Sequence, residues 1–423
     1  MLINKYTSII FYTIIFCIAL FTRSLLGIEI FSFLIGEYIV ALALISSLII
    51  IFCYFKRKID KNLFIAISLI YVNFILIIII NDSNLLSTYT FKSSSYIWMV
   101  NYLFLGLIFL KGKFKTNNIY YFLYILLMLI YTTSVIYYPS SLADLFIKYS
   151  DKFLYIKASD ILAIYVITIF FVSRFKEYDY NDFLIFIGIV SIFIPLFIYM
   201  SRGAFFSALI FSLLELIQKR SYFKKSIFKN ILLFVFAGCL FTTSSILVQD
   251  QEITLSESRS TVSALVDEKN TIDSFSSFYI KGNRLYSTEG NLNWRLQIWQ
   301  DVFHDLRSKN LLLIGYGYDS IIPAMEDPRR QGLERYDSNN IPNENVHSFI
   351  VNILARGGII QILLFINFYF IILKSTKKRN RKDVIQFIIP FLLASSFDVS
   401  MEGVQFPLIF FFSLSYILKY LDN

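Results

Sequence analysis

The sequence predicts an all-α polytopic membrane protein of about twelve transmembrane helices, with a large, partly helical outer loop between the ninth and tenth. Three observations predict it. Of 423 residues, 57% are hydrophobic and only 16% charged, against roughly 25% charged in an ordinary soluble domain. The apolar residues gather in long runs, and the mean hydropathy is +0.62. About 241 apolar residues match a dozen spans of about 20 residues, the length that crosses the hydrocarbon layer. A soluble enzyme is excluded.

The runs are, in order, Ser8–Gly27, Phe31–Phe55, Leu63–Ile80, Tyr96–Leu110, Ile119–Tyr138 and Ile161–Ser173. They continue as Phe183–Met200, Gly203–Ile217, Ile231–Val248, His347–Leu373, Val384–Phe397 and Pro407–Leu421. The first run lacks a basic leader and a small-residue cleavage site, so it reads as an uncleaved span. The expected organisation is spans one to nine over 1–248, the outer loop over 249–346, and spans ten to twelve over 347–423. Cys17, Cys53 and Cys239 all fall in apolar runs; the long loop contains no cysteine and so no disulfide.

Charge placement predicts the orientation. The net charge of +9 is concentrated: 22 of 39 basic residues sit near the termini and in the short connections at 56–61, 111–115, 174–176, 219–229 and 374–382. That pattern follows the positive-inside rule, so both termini should be cytoplasmic. The long loop, with 15 acidic and 10 basic residues, then faces the periplasm or exterior. The basic excess marks topology, and nucleic acid is not an expected partner.

Within the loop, Gln249–Gly290 is rich in Ser, Thr and Asp and reads as irregular. Asn291–Lys309 then spaces Leu292, Leu296, Trp299, Phe303 and Leu306 by three or four residues, an amphipathic helix. Asn291 can cap its start, and Arg307 and Lys309 suit its C-terminal dipole. The segment Leu311–Tyr318 ends in Gly-Tyr-Gly-Tyr, a turn.

Several motifs are missing. No Walker-type phosphate loop supports ATP-driven pumping, and there is no HExxH, CxxC or DxD and only two histidines. Neither a metal nor another cofactor is expected. Any chemistry must then use a substrate that arrives already activated.

Four features carry the candidate chemistry, each beside a plainer reading. Ser201-Arg202-Gly203 is a tight turn between spans seven and eight. Its arginine either snorkels to water or presents a planar fork to a phosphate. Asn293-Trp294-Arg295 with Trp299 sits on the loop helix; that helix either lies in the aromatic belt or aims Arg295 at a substrate beneath the loop. Asn345-Val346-His347-Ser348 begins span ten. Here a structural histidine competes with a general base, because a helix N-terminus seats anions and its positive end favours the neutral imidazole. His304 reads as solvated. The fourth feature is the set of intramembrane charges. Arg23, Glu29 and Glu37 are placed to pair with one another, Arg356 lies on the far face of span ten from His347, and Asp398 and Glu402 flank span eleven; all rank lower.

The order of these features is more specific than any one of them. SRGAFF (Ser201–Phe206), then WRLQIWQDVF (Trp294–Phe303), LLLIGYGYD (Leu311–Asp319) and NVHSFIVNILARGGIIQILLFI (Asn345–Ile366) together resemble the O-antigen polymerase and ligase superfamily of bacterial membrane glycosyltransferases. The closest likeness is to Wzy-type O-antigen polymerases, and it covers residues 190–373. One departure is Ser348, where the family often has Asn. The resemblance implies a metal-independent enzyme of the inner membrane that takes saccharide from an undecaprenyl diphosphate carrier on its outer face. It implies catalytic roles for His347, Arg202 and Arg295, with Arg202 and Arg295 also binding substrate; Asn345 and Trp299 are further substrate-binding candidates. Expected partners are the lipid-linked oligosaccharide as donor and acceptor, membrane lipids and a chain-length regulator. The leading function is a polysaccharide polymerase; the alternatives are an O-antigen ligase acting on lipid A–core and a lipid-linked oligosaccharide flippase.

Overall fold

The computed structural model describes residues 15–53, 58–110, 118–150, 156–225, 227–252, 278–288, 290–326 and 345–421. The start of the first run, the basic cluster at 111–115 and part of that at 56–61 lie outside the described residues.

Every apolar run falls mainly on helix where it is described. Helix α1 (Ile15–Leu26) leads through a two-residue hairpin, β1 (Glu29–Ile30) and β2 (Phe33–Leu34), into α2 (Ile35–Cys53) and α3 (Lys58–Ile80). Short helices follow: α4 (Thr88–Ser93), α5 (Ser95–Met99) and α6 (Tyr102–Phe109). Next come α7 (Asn118–Tyr131), extended by a π-turn over Thr132–Ile136, then α8 (Ser140–Tyr149) and α9 (Ala158–Phe175). The bundle continues with α10 (Tyr180–Met200), α11 (Arg202–Gln218) and α12 (Ile227–Glu252).

Beyond the loop lie α15 (Phe349–Ser375), α16 (Arg381–Ser396) and α17 (Gln405–Tyr420), while the loop itself holds strands β3 (Phe278–Lys281) and β4 (Arg284–Ser287) and helices α13 (Gly290–Ser308) and α14 (Pro323–Glu326). Among the described residues, six helices are long and apolar enough to cross a bilayer: the apolar parts of α3, α7 with its π-turn, α9, α10, α12 and α15. Around them stand shorter apolar helices such as Ile15–Leu26 and Ile35–Ile50. This is a helical membrane protein.

Helix α9 is its central post, with 89% of its apolar window buried. Its C-terminal Arg174 reaches Glu215 of α11 at 2.9 Å and Asp383 of α16 at 2.8 Å, and Gln386 donates to Glu215 at 2.9 Å. A cation at the negative end of α9 is favoured, and Asp383 and Gln386 of one further helix, α16, help satisfy the buried pair. This clasp closes one end of the bundle. Because α11 is antiparallel to α10 and begins at Arg202, its opposite end carries the Ser201 turn.

The loop helix spans Gly290–Ser308, within a residue of its expected ends. Its buried face matches the expected stripe only in part, at Leu306 and Trp299. Ile298, Val302 and Leu306 are fully buried with Ile322, Met325, Val346 and Ala355, whereas Phe303 is 48% exposed. The neighbouring hairpin sets that rotation, because Gln297 and Gln300 both donate to the Leu285 carbonyl. The hairpin itself corrects the irregular reading of Gln249–Gly290: α12 runs on to Glu252, and β3 pairs with β4 across Gly282 and Asn283. Both turn residues have positive φ (+57° and +63°), the conformation a two-residue hairpin turn demands. Residues 253–277 of that segment lie outside the described residues.

Candidate active site

Ser201 ends α10 and caps α11: its side chain accepts from the Ala204 amide at 3.5 Å. This places Arg202 in the first turn of α11, half-buried. Gly203 follows because the chain approaches Phe397 closely there; a Cβ at this position would stand 2.9 Å from the Phe397 Cβ. On α13, Arg295 donates through Nη1 to the carbonyl of the same Phe397 at 2.5 Å. The turn carrying Arg202 and the side chain of Arg295 thus meet at the end of α16.

His347 stands immediately before Ser348, whose side chain caps α15 by accepting from the Val351 amide at 3.4 Å. Its own φ is +52°, a left-handed conformation uncommon outside glycine but several-fold enriched in His. Such a conformation costs on the order of 1–3 kcal/mol and persists where neighbours over-determine it. The cap follows it, and Trp299 precedes it by donating Nε1–H to the Val346 carbonyl at 2.8 Å. The Trp294 indole meets the imidazole edge-on at 5.1 Å. Trp299, expected to touch substrate, therefore spends its polar atom on the backbone beside His347. His304 is exposed.

Span ten is broken, and the break lies beyond Arg356. Gly358 has φ +66° and ψ −170°. Into the gap lies the Gly-Tyr-Gly-Tyr segment. Tyr316 and Gly317 amides donate to the Ala355 and Arg356 carbonyls at 2.7 and 3.1 Å, and Ile359 and Ile360 amides donate to Leu312 and Leu313 carbonyls at 3.0 and 3.3 Å. The backbone groups freed by the break are thus re-satisfied by the loop, as buried groups must be. The expected turn is real, with Gly315 and Gly317 at positive φ. Tyr316 OH anchors it further by donating to Asp305 at 2.7 Å.

Arg356 sits about 13 Å along the helix axis from His347, nine residues at 1.5 Å each, and the break does not bring them together. Instead Arg356, only 3% exposed, donates to the carbonyls of Gly317 and Ser320 and to Tyr89 OH. It lines a cavity of about 320 Å3 that Asn345, Asn352, Val399 and Glu402 also line. Glu402 accepts from Asn352 Nδ2 at 2.7 Å. Burial pushes its carboxyl up to about 7 against the pull of Arg356, and Asp398 adds to the rise. Arg202, Arg295 and His347 are not in the cavity wall; they stand beside it, joined through the 345–352 and 397–402 segments. The expected pairing of Arg23 with Glu29 or Glu37 is not formed: Glu37 accepts from the Leu34 amide at 2.8 Å, and Arg23 and Glu37 both face the cavity. Among the described residues, no three His, Cys, Asp or Glu side chains gather to hold a metal.

The sequence ranked Arg356 and Glu402 low and missed Tyr89 and Trp98. An intramembrane charge was the only available signal for the first two. The aromatic residues gave none, because the cavity joins segments some 300 positions apart.

Comparison with known proteins now bears on this arrangement. Residues 186–366 match a family model described as O-antigen ligase. No curated protein matches the chain. The matched stretch runs from the middle of α10 to just past the Gly358 break and contains Arg202, Arg295 and His347. Residues 186–366 thus form an O-antigen ligase-like domain, consistent with the O-antigen polymerase and ligase superfamily, whose members are glycosyltransferase-like membrane enzymes.

Proposed function

We propose that the protein polymerises O-antigen or capsular repeat units on the outer face of the cytoplasmic membrane, drawing them from an undecaprenyl diphosphate carrier. One observation carries this reading. Two arginine-bearing elements, the Ser201–Gly203 turn and α13, meet at Phe397, while α13 also holds His347 in place through Trp294 and Trp299.

In the proposed reaction His347 takes the proton of the attacking sugar hydroxyl. The oxygen bonds to the anomeric carbon of the donor as the carbon–oxygen bond to the diphosphate breaks, inverting that carbon. The electron pair leaves on undecaprenyl diphosphate, whose growing charge Arg202 and Arg295 stabilise. The capped starts of α11 and α15 add amide dipoles of the same sign. The lipid tail stays in the bilayer throughout.

The family description favours a second reading, a ligase that passes finished glycan to lipid A–core, since both use the same donor chemistry. Deleting the gene separates them. Loss of the long ladder with a single repeat unit still attached supports the polymerase; loss of that unit as well supports the ligase. For the site, Arg202→Ala, Arg295→Ala and His347→Ala should each abolish polymer with protein still in the membrane. Arg→Lys should fail too, because an ammonium lacks the bidentate fork. Full activity in His347→Ala refutes the base assignment.

A further inference from the structure

The cavity beside the catalytic trio has no role in the scheme above. Its chemistry is mixed. Arg356 and Arg23 offer guanidinium groups, Glu402 and Glu37 carboxylates, and Asn345 and Asn352 amides. A site made for phosphate alone gains nothing from carboxylates, which repel it. Sugar hydroxyls both donate and accept, and need acceptors and donors on facing walls. At about 320 Å3 the cavity lies at the lower end of the roughly 300–1,000 Å3 usual for ligand pockets, and apolar walls from Tyr89 and Trp98 complete it.

A second observation supports an occupant. Glu402 and Asn352 line the cavity as a joined carboxylate–amide pair, 2.7 Å apart, which sets acceptor and donor side by side as sugar hydroxyls require.

Origin matters as well. Of the residues just named, Asn345, Asn352 and Arg356 fall inside the family-matched stretch 186–366. Arg23, Glu37, Tyr89, Trp98 and Glu402 come from outside it. The shared stretch supplies the reacting groups, while the walls beside them are contributed by the rest of the chain.

We infer that this cavity is the subsite for a neutral sugar of the acceptor, and that Glu402, Asn352 and Arg356 bind its hydroxyls and set which sugar is accepted. The inference rests on the proposed function for the word acceptor. Two wall residues, Asn345 and Val399, stand two positions along the chain from His347 and Phe397.

The test is a double dissociation on the purified full chain in detergent. One probe is undecaprenyl diphosphate. The other is a panel of free sugars (glucose, galactose, N-acetylglucosamine, N-acetylgalactosamine, glucuronate) with inorganic pyrophosphate as competitor, read by saturation-transfer NMR. At least one neutral sugar should bind, and Glu402→Gln and Asn352→Leu should weaken it at least fivefold. Both variants should hold undecaprenyl diphosphate as the wild type does, which also shows that they are folded. Arg202→Ala should show the converse. If no neutral sugar binds, if pyrophosphate displaces it, or if Glu402→Gln leaves it unchanged, the inference is overturned. If the cavity variants lose sugar while Arg202→Ala and Arg295→Ala keep the carrier, the subsite stands and the proposed diphosphate site falls.

Discussion

Replacing Gly358 with Ala tests whether the break in α15 holds the outer loop in place. An alanine Cβ there would lie 2.1 Å from the Leu313 carbonyl oxygen and 2.5 Å from the Ile314 nitrogen. Both are backbone atoms, so no side chain can swing aside. At φ +66° and ψ −170°, a region essentially confined to glycine, a residue with a Cβ adds about 1–3 kcal/mol of its own. The simplest escape is for α15 to straighten and expel the segment 312–317, losing the four backbone hydrogen bonds that cross the break. At roughly 0.5–1.5 kcal/mol each, these contribute about 2–6 kcal/mol. If half of that is lost, the fold is weakened by about 1–3 kcal/mol, or roughly five- to hundredfold in the folded-to-unfolded ratio.

Limited chymotrypsin digestion reads this directly, because Tyr318 is fully buried and Tyr316 half-buried in the native fold. Gly358→Ala should be cut at 316–318 far faster than wild type, and should unfold at lower temperature in detergent. Because Trp299 and Val346 pack in the same small core as Leu312 and Tyr316, polymer formation should fall as well. Unchanged cutting and unchanged melting would refute the account of the break.

Other substitutions probe the setting of His347 and the cavity. Trp299→Phe keeps the ring but removes the donor to the Val346 carbonyl; Val346 is 1% exposed, so the stranded oxygen costs about 1–3 kcal/mol. Turnover should drop while undecaprenyl diphosphate binding holds. Ser348→Asn should be tolerated, because both residues cap well, whereas Ser348→Ala should cost about 0.5–2 kcal/mol, read as a lower melting temperature. With its carboxyl raised to about 7 by burial, Glu402 is mostly protonated at pH 6 and ionised at pH 8, facing Arg356, Asp398, Lys92 and Asn352. If the carboxylate is the form that accepts a sugar hydroxyl, sugar binding should strengthen as pH rises through 7, and Glu402→Gln should flatten that profile.

Particular elements show what could be read in advance. The apolar runs forecast helices because a membrane helix must bury its backbone polarity within itself, a local requirement visible in any 20-residue window. The loop helix was found to within a residue, but its buried face was misread in part, since Phe303 fits the period and is nonetheless exposed. The hairpin at 278–287 was missed although Gly282-Asn283 marks a tight turn between alternating strands, because it lies in a stretch dominated by Ser, Thr and Asp. The Gly357-Gly358 pair is a local signal that a helix break is permitted there. Nothing local said that the Gly-Tyr-Gly-Tyr segment fills it.

The sequence by itself determined the class of protein and the catalytic candidates: long apolar runs, a tight Ser-Arg-Gly turn, and a His before a capped helix. Each rests on composition or on neighbours a few residues apart. Only the tertiary structure decided that the Ser201–Gly203 turn and Arg295 meet at Phe397, that Trp299 donates to the backbone beside His347, and that Arg23, Tyr89, Arg356 and Glu402 share one cavity. Those relations depend on the rotation and packing of helices hundreds of residues apart, and the apolar character that identifies a span does not specify either.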